Sequence, residues 1–108
     1  MKYRRWCIAT IDSNGWPKGL RGVVSAWSLR HILPDGIGLF ECEFEGTQMR
    51  AAQSIVTVLP ALNAPAEKVP AAGLAKLGMT TYPGEAVLDV LRRLRDTLGE
   101  DWEVSLPT

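Results

Sequence analysis

The residues of this chain best suited to chemistry are three glutamates, Glu41, Glu43 and Glu45, in the stretch LFECEFEG. They alternate with two phenylalanines and a cysteine, so a strand would place the carboxylates on one face and the apolar side chains on the other. Carboxylates two residues apart lie roughly 6.5–7 Å apart at Cα, close enough to share a cation. A hard cation needs six or more oxygen ligands, and no acidic loop or second acidic cluster supplies them. The pattern therefore favours a half-exposed strand over a metal site.

The polar face of this strand needs a partner, and two neighbouring arginines of the N-terminal segment are available. If Trp6 faces the core with Phe40 and Phe44, alternation places Arg4 inside or at the rim of the core and Arg5 outside. Opposite charges across neighbouring strands contribute roughly 0.2–1 kcal/mol per pair. The sequence therefore predicts Arg5 as the partner of the glutamates, which otherwise form a candidate interface for another protein.

Other reactive side chains do not assemble into a recognisable catalytic or metal-binding motif. Ser25 and Ser28 lie near the single histidine, His31, but the sequence has no nucleophile-elbow motif. Cys7 and Cys42 match no metal or redox spacing and are predicted to be reduced, buried thiols. We therefore expect no catalytic residues, no metal and no cofactor, and a protein that is not an enzyme.

The four tryptophans separate into two pairs. Trp6 and Trp27 lie in apolar segments and are predicted core residues. Trp16 lies in a Gly/Pro-rich loop and Trp102 in an acidic tail, positions where tryptophans often mark contact sites. Packing of each on its own domain is the equal alternative. Trp16 and Trp102 join the glutamates as candidate interface residues.

Length and charge exclude several classes of function. The 108 residues suit one domain, and 46% hydrophobic with 22% charged residues is typical of a globular protein. The net charge is zero, with +4 over residues 1–40 and −4 over residues 41–108. This distribution disfavours nucleic-acid binding and fits pairing of the two halves or head-to-tail contact between copies. No apolar run spans a membrane, and the N-terminus does not resemble a signal peptide.

The elements that would position these residues define an α+β fold. We predict a central strand at Tyr3–Ile11, a turn at Leu33–Gly36, a strand at about Ile37–Glu45, a short helix within Gly46–Ser54 capped by Thr47, and a strand at Ile55–Leu62. Residues 20–33 fit a strand, although Ala26–Ile32 also fits a helical turn. The order strand, helix, strand predicts a ferredoxin-like βαβ unit within a small sheet.

The second half of the chain is predicted to be helical. Residues 1–62 form the strand-rich module, residues 63–73 a Pro/Ala-rich connector, and residues 74–108 a C-terminal helical segment, all within one domain. GLAKLGM predicts one or two helical turns that end at Gly78. The stretch PGEAVLDVLRRLRDTLG predicts the longest helix, with Pro83 at its first position and Asp89 close to Arg92 and Arg93.

The layout of these segments resembles a group of known proteins. YRRW in the first strand, GVVSAW in the second segment, GLFECEFEGTQMRAAQSIVTVLPAL and the terminal LAKLGM…VLDVLRRLRDTLG together resemble small proteins encoded among the virion structural genes of tailed bacteriophages. This resemblance implies a capsid cement, connector or tail accessory protein that is assembled in the host cytoplasm into the virion. Its partners would be other virion proteins or copies of itself in an oligomer. The alternative is a small intracellular phage-encoded modulator that binds a host protein through the acidic strand face.

Overall fold

The structure is a computed structural model that describes residues 2–33, 36–69 and 71–99. Within these ranges the chain forms four β-strands and three α-helices, which confirms the predicted α+β class, and it divides into two units, Met1–Leu59 and Pro60–Thr108. The elements are β1 (Lys2–Thr10), β2 (Ala26–Leu33), β3 (Ile37–Glu45), α1 (Gln48–Gln53), β4 (Thr57–Val58), a 3₁₀ turn (Ala66–Lys68), α2 (Ala71–Leu77) and α3 (Val87–Leu98). None of the described helices has the length and apolar character needed to cross a membrane.

The sheet of the first unit has the strand order β2-β3-β1-β4, and every neighbouring pair is antiparallel. β1 is therefore an interior strand, as predicted, and its residues Trp6–Ala9 are buried on both faces. β3 and β4 are both antiparallel to β1, so they run parallel to each other on either side of it. The short helix α1 connects β3 to β4 along the chain.

Two strand predictions needed correction. The strand predicted at Ile55–Leu62 is reduced to Thr57–Val58. The amide nitrogens of Ile55 and Val56 donate to the carbonyl oxygen of Ala52, at 2.9 Å each. These two residues therefore belong to the turn that ends α1 and not to the strand. Pro60 has no N–H for a sheet hydrogen bond. The ambiguous segment 20–33 contains β2 from Ala26 onward, and the helical alternative for this stretch is wrong.

One face of the sheet carries the core of the first unit. Its buried members are Cys7, Ala9, Leu20, Phe40, Cys42, Phe44, Ala52 and Val56. Gly38 is essential to this packing because a Cβ at that position would lie 2.5 Å from the Phe40 ring and 2.9 Å from Ile11 Cγ2. The glycine provides the space in which the Phe40 ring lies.

The second unit contains α2 and α3, and its longest helix begins later than predicted. Gly78 follows α2 at φ 67° and Gly99 follows α3 at φ 71°, as expected for glycines after helix ends. Pro83 is not the first residue of the helix, since α3 begins at Val87. Asp89 Oδ2 accepts a hydrogen bond from the Ala86 amide at 2.9 Å, and this contact fixes the helix start.

The caps and turns differ from expectation in two further places. Thr47 does occupy the N-cap position of α1, but its backbone is helical and its side chain makes no capping hydrogen bond. The turn predicted at Leu33–Gly36 includes Pro34 and Asp35, which lie outside the described residues. Trp102 also lies outside them.

Candidate functional site

The three glutamates occupy the sheet face opposite the core, as the period-two pattern predicts. Glu41, Glu43 and Glu45 become progressively more exposed along β3, with exposed side-chain fractions of 7%, 21% and 47%. Phe40, Cys42 and Phe44 are fully buried on the other face. β3 thus separates a charged surface from the core through alternation alone.

Three cations face these carboxylates and form an ion-pair ladder. The members are Lys2, Arg4, Arg30, Glu41, Glu43 and Glu45. Lys2 Nζ lies 3.4 Å from an oxygen of both Glu43 and Glu45. Arg4 Nη1 and Nη2 donate to Glu41 at 3.3 Å and to Glu43 at 3.4 Å. Each glutamate therefore has a cationic partner within its own unit.

The prediction of Arg5 as the partner of the glutamates is wrong. In the register of β1 and β3, Arg4 lies opposite Glu43 and Trp6 opposite Glu41. Directly opposed residues of antiparallel strands point to the same side, so Trp6 and Arg4 share the glutamate face. Arg5 lies opposite Cys42 and points toward the side of the sheet that carries α1.

Glu41 is the most constrained member of the ladder. Its Oε2 accepts a 2.7 Å hydrogen bond from Arg30 Nη2, while its Oε1 accepts from Arg4. Arg30 lies at a bulge of β2, where the register shifts between Leu29 and His31. The bulge places an arginine beside a carboxylate that the sheet has removed from water. A depression of about 190 Å³ borders this contact.

The cations of the ladder favour the ionised form of Glu43. The hydrogen bond from Lys2 is the main reason that the pKa of Glu43 lies below its ordinary value, and the hydrogen bond to Glu43 likewise raises the pKa of Lys2. Such a carboxylate does not hold a proton near neutral pH and is a poor general acid. Among the described residues, no three His, Cys, Asp or Glu side chains form a group that could hold a metal ion.

The two cysteines are reduced and buried, which confirms the prediction. Cys7 and Cys42 lie on the core face of neighbouring strands. A hydrogen bond with Cys42, together with burial, raises the pKa of the Cys7 thiol far above its ordinary value. The thiolate is the nucleophilic form, so Cys7 is an unreactive thiol in the folded protein.

Trp16 packs on its own unit. Its ring lies 4.6 Å from that of Trp27, which contacts Phe40 edge-on at 5.5 Å. The Arg21 guanidinium lies 4.7 Å from the Trp16 ring centroid. Asp12 Oδ1 accepts a 3.1 Å hydrogen bond from the Trp16 amide and holds the loop in place. Trp16 is half-buried, and the exposed part of the side chain remains a candidate contact.

Ser25, one of the two serines near His31, uses its hydroxyl to hold the backbone of the sheet. Ser25 Oγ donates to the carbonyl oxygen of Glu43 at 3.0 Å. His31 is half-buried on β2, opposite Leu39. The hydroxyl of Ser25 therefore helps to fix the start of β2 against β3.

A second region, which we call the arginine cleft, was not found from the sequence. It is an open cavity of about 560 Å³ between the start of β1 and the helix α1. The side chains that line it are Tyr3, Arg5, Thr47, Met49, Arg50 and Gln53. Strand alternation places Arg4 and Arg5 on opposite sides of the sheet, but the sequence alone does not show which of the two lies on the side of α1.

The second unit contains a separate ion pair. Arg93 donates to both carboxylate oxygens of Glu85, at 2.6 and 2.7 Å, and to the carbonyl oxygen of Thr80 at 2.7 Å. Its guanidinium also lies 4.6 Å from the Tyr82 ring centroid. The bidentate contact with Glu85 ties the preceding loop to α3, and Asp89, predicted to lie close to Arg93, adds an electrostatic attraction to the same guanidinium.

Comparison of the chain with protein-family models, curated proteins and solved structures finds no match.

Proposed function

We propose that the protein is a non-enzymatic binding protein that acts through protein–protein contacts, as a capsid cement, connector or tail accessory subunit of a virion. The layout shared with small virion proteins of tailed bacteriophages supports the assignment to a virion. The same proposal includes assembly in the host cytoplasm and an oligomer with copies of itself or other virion proteins. β3, α1 and β4, with β1 between the two parallel strands, support a ferredoxin-like arrangement of the unit.

The arginine cleft is the observation that carries the binding role. Arg5 and Arg50 line it, and neither makes an ion pair with a described residue. The acidic face differs, because its three carboxylates are already paired with Lys2, Arg4 and Arg30. A partner protein gains more from cations without internal partners than from carboxylates whose own cations it must displace.

Two measurements test this function together. Purified particles from the host that carries the gene are analysed by mass spectrometry, and the isolated protein is analysed by sedimentation velocity over a wide concentration range. We expect the protein in the particles at a stoichiometric copy number, together with self-association or capture by a particle protein. A protein that stays monomeric and is missing from the particles refutes the proposal.

A further inference from the structure

We propose that the arginine cleft recognises an acidic segment of a partner protein, in which carboxylates flank one bulky apolar side chain. This inference rests on the proposed binding function and names the chemistry of the partner. It assigns the ionic contacts to Arg5 and Arg50 and the apolar contact to Tyr3 and Met49. The glutamates of the ladder take no part in it.

The two arginines are the first part of the case. Arg5 uses one donor, since its Nη1 donates to the carbonyl oxygen of Arg4 at 3.0 Å. The Arg50 side chain makes no hydrogen bond or ion pair with any described residue and is exposed in the last turn of α1. A guanidinium has five N–H donors in a planar fork that matches a carboxylate, so both side chains retain donors for such a ligand.

The apolar surface of the cleft is the second part. The Tyr3 side chain is exposed, and the Arg5 guanidinium lies 5.9 Å from its ring centroid. Met49 is half-buried, since it packs on the core while also lining the cleft. Methionine and tyrosine together offer an adaptable apolar surface beside the charges. The volume of about 560 Å³ is within the range of cavities that bind small ligands, and it can accept a few side chains.

Neighbouring charges leave the cleft cationic. The acidic residue nearest in sequence is Glu45, which belongs to the opposite face of the sheet, where its carboxylate lies 3.4 Å from Lys2 Nζ. Thr47 and Gln53 add neutral hydrogen-bonding groups to the lining. The ligand is therefore an anion with an apolar part, and the zero net charge of the chain favours an acidic peptide over a nucleic acid.

The test uses the whole chain and a defined peptide. Fluorescein-labelled Gly-Glu-Phe-Glu-Leu-Gly amide is titrated with protein, and binding is followed by fluorescence anisotropy. We expect Arg5→Gln and Arg50→Gln each to weaken binding about fivefold, the loss of one exposed charge-assisted contact. Replacing both peptide glutamates by glutamine should weaken binding more strongly. Lys18→Gln is the matched control, because it removes the same charge from an exposed loop residue of the same unit outside the cleft lining.

Each outcome of this experiment decides the inference. Loss of binding in the arginine variants with retention in Lys18→Gln supports it. Equal weakening by all three variants, or no binding of the peptide, overturns it. Tighter Arg50-dependent binding of a single-stranded oligonucleotide also overturns it, in favour of a nucleic-acid ligand. If the peptide fails to bind while the protein is still recovered in particles, the acidic-segment assignment fails and the proposed function stands.

Discussion

Removing the charge of Glu41 is the most direct perturbation of the ion-pair ladder. The variant Glu41→Gln preserves the shape of the side chain and one carbonyl oxygen, but it leaves the Arg30 and Arg4 guanidinium groups without a carboxylate between them. Arg30 is only 26% exposed, so water replaces its lost partner poorly. Arg30 Nε is buried with no partner among the described residues, so the hydrogen bond to Glu41 is the one described side-chain contact of this guanidinium.

The expected loss follows from the exposure of each contact. A hydrogen bond to a charged group contributes about 1.5–3 kcal/mol, and the short Arg30 contact to the buried Glu41 belongs in this range. The Arg4 contact is longer, at 3.3 Å, and Arg4 is 63% exposed, so screening reduces it to a few tenths of a kcal/mol. The remaining amide oxygen of the glutamine recovers part of the total. We expect the free energy of unfolding to fall by about 2 kcal/mol, which corresponds to a decrease in Tm of about 10 °C.

Urea denaturation followed by tryptophan fluorescence measures this loss, since Trp6, Trp16 and Trp27 lie in the same unit as Glu41. Glu45→Gln is the matched control, because it removes the same charge from the exposed end of the ladder and should leave the midpoint unchanged. A double-mutant cycle of Glu41→Gln with Arg30→Gln then isolates their coupling. If Glu41→Gln is as stable as Glu45→Gln, the buried contact with Arg30 is not a stabilising element and the reasoning is refuted.

Three further predictions concern the core and the second unit. The pKa of Cys7 is higher in the folded than in the unfolded chain, so only the unfolded chain loses this proton as the pH rises above about 8.5. The free energy of unfolding should therefore fall by about 1.4 kcal/mol per pH unit above about pH 9. Urea midpoints against pH test this, and equal slopes for the wild type and Cys7→Ala would contradict it. Gly38→Ala should destabilise the protein by about 1–3 kcal/mol because its Cβ would overlap the Phe40 ring. Calorimetry tests this, and Phe40→Leu in the same chain should restore part of the loss, whereas strictly additive effects would contradict the overlap. Glu85→Gln should lower the free energy of unfolding by about 1 kcal/mol at pH 7. The hydrogen bond from Arg93 lowers the pKa of Glu85, so the wild type loses this stability as the pH falls below about 5, and the difference in stability between the two proteins should shrink. Far-UV circular dichroism in urea measures this difference, and a pH-independent gap would contradict the ion-pair explanation.

The alternation of β3 could be predicted from sequence because it depends on one strand alone. The residues of Ile37–Glu45 repeat every two positions, and the chain must bury one side of that pattern. The partner of the glutamates could not be predicted in this way, since it depends on the register between two strands. Trp6 is apolar and buried, and it nevertheless lies on the glutamate face opposite Glu41. The apolar character of Trp6 therefore does not show which face of β1 lies on the same side of the sheet as the phenylalanines.

The arginine cleft and the start of α3 were missed for related reasons. Arg5 and Arg50 are far apart in sequence, and only the packing of α1 beside β1 brings them to one cavity. Pro83 is suited to a first helical position, but Gly84 adopts φ 81° and the Tyr82 amide donates to Glu85 Oε1. Local contacts of this kind compete with helix initiation. Helix propensities of single residues do not show whether such a contact or the helix is more stable.

The ladder also constrains how β1 and β3 align during folding. Apolar alternation repeats every two residues, so it does not distinguish the native pairing from one displaced by two positions. A displacement in one direction would place Ile8 opposite Glu41 and Trp6 opposite Glu43, leaving carboxylates beside apolar side chains. The opposite displacement leaves only the exposed Glu45 without its cation. The charges therefore make a two-residue shift more costly in one direction than in the other. They select the register of β1 and β3, which the hydrophobic pattern alone leaves ambiguous.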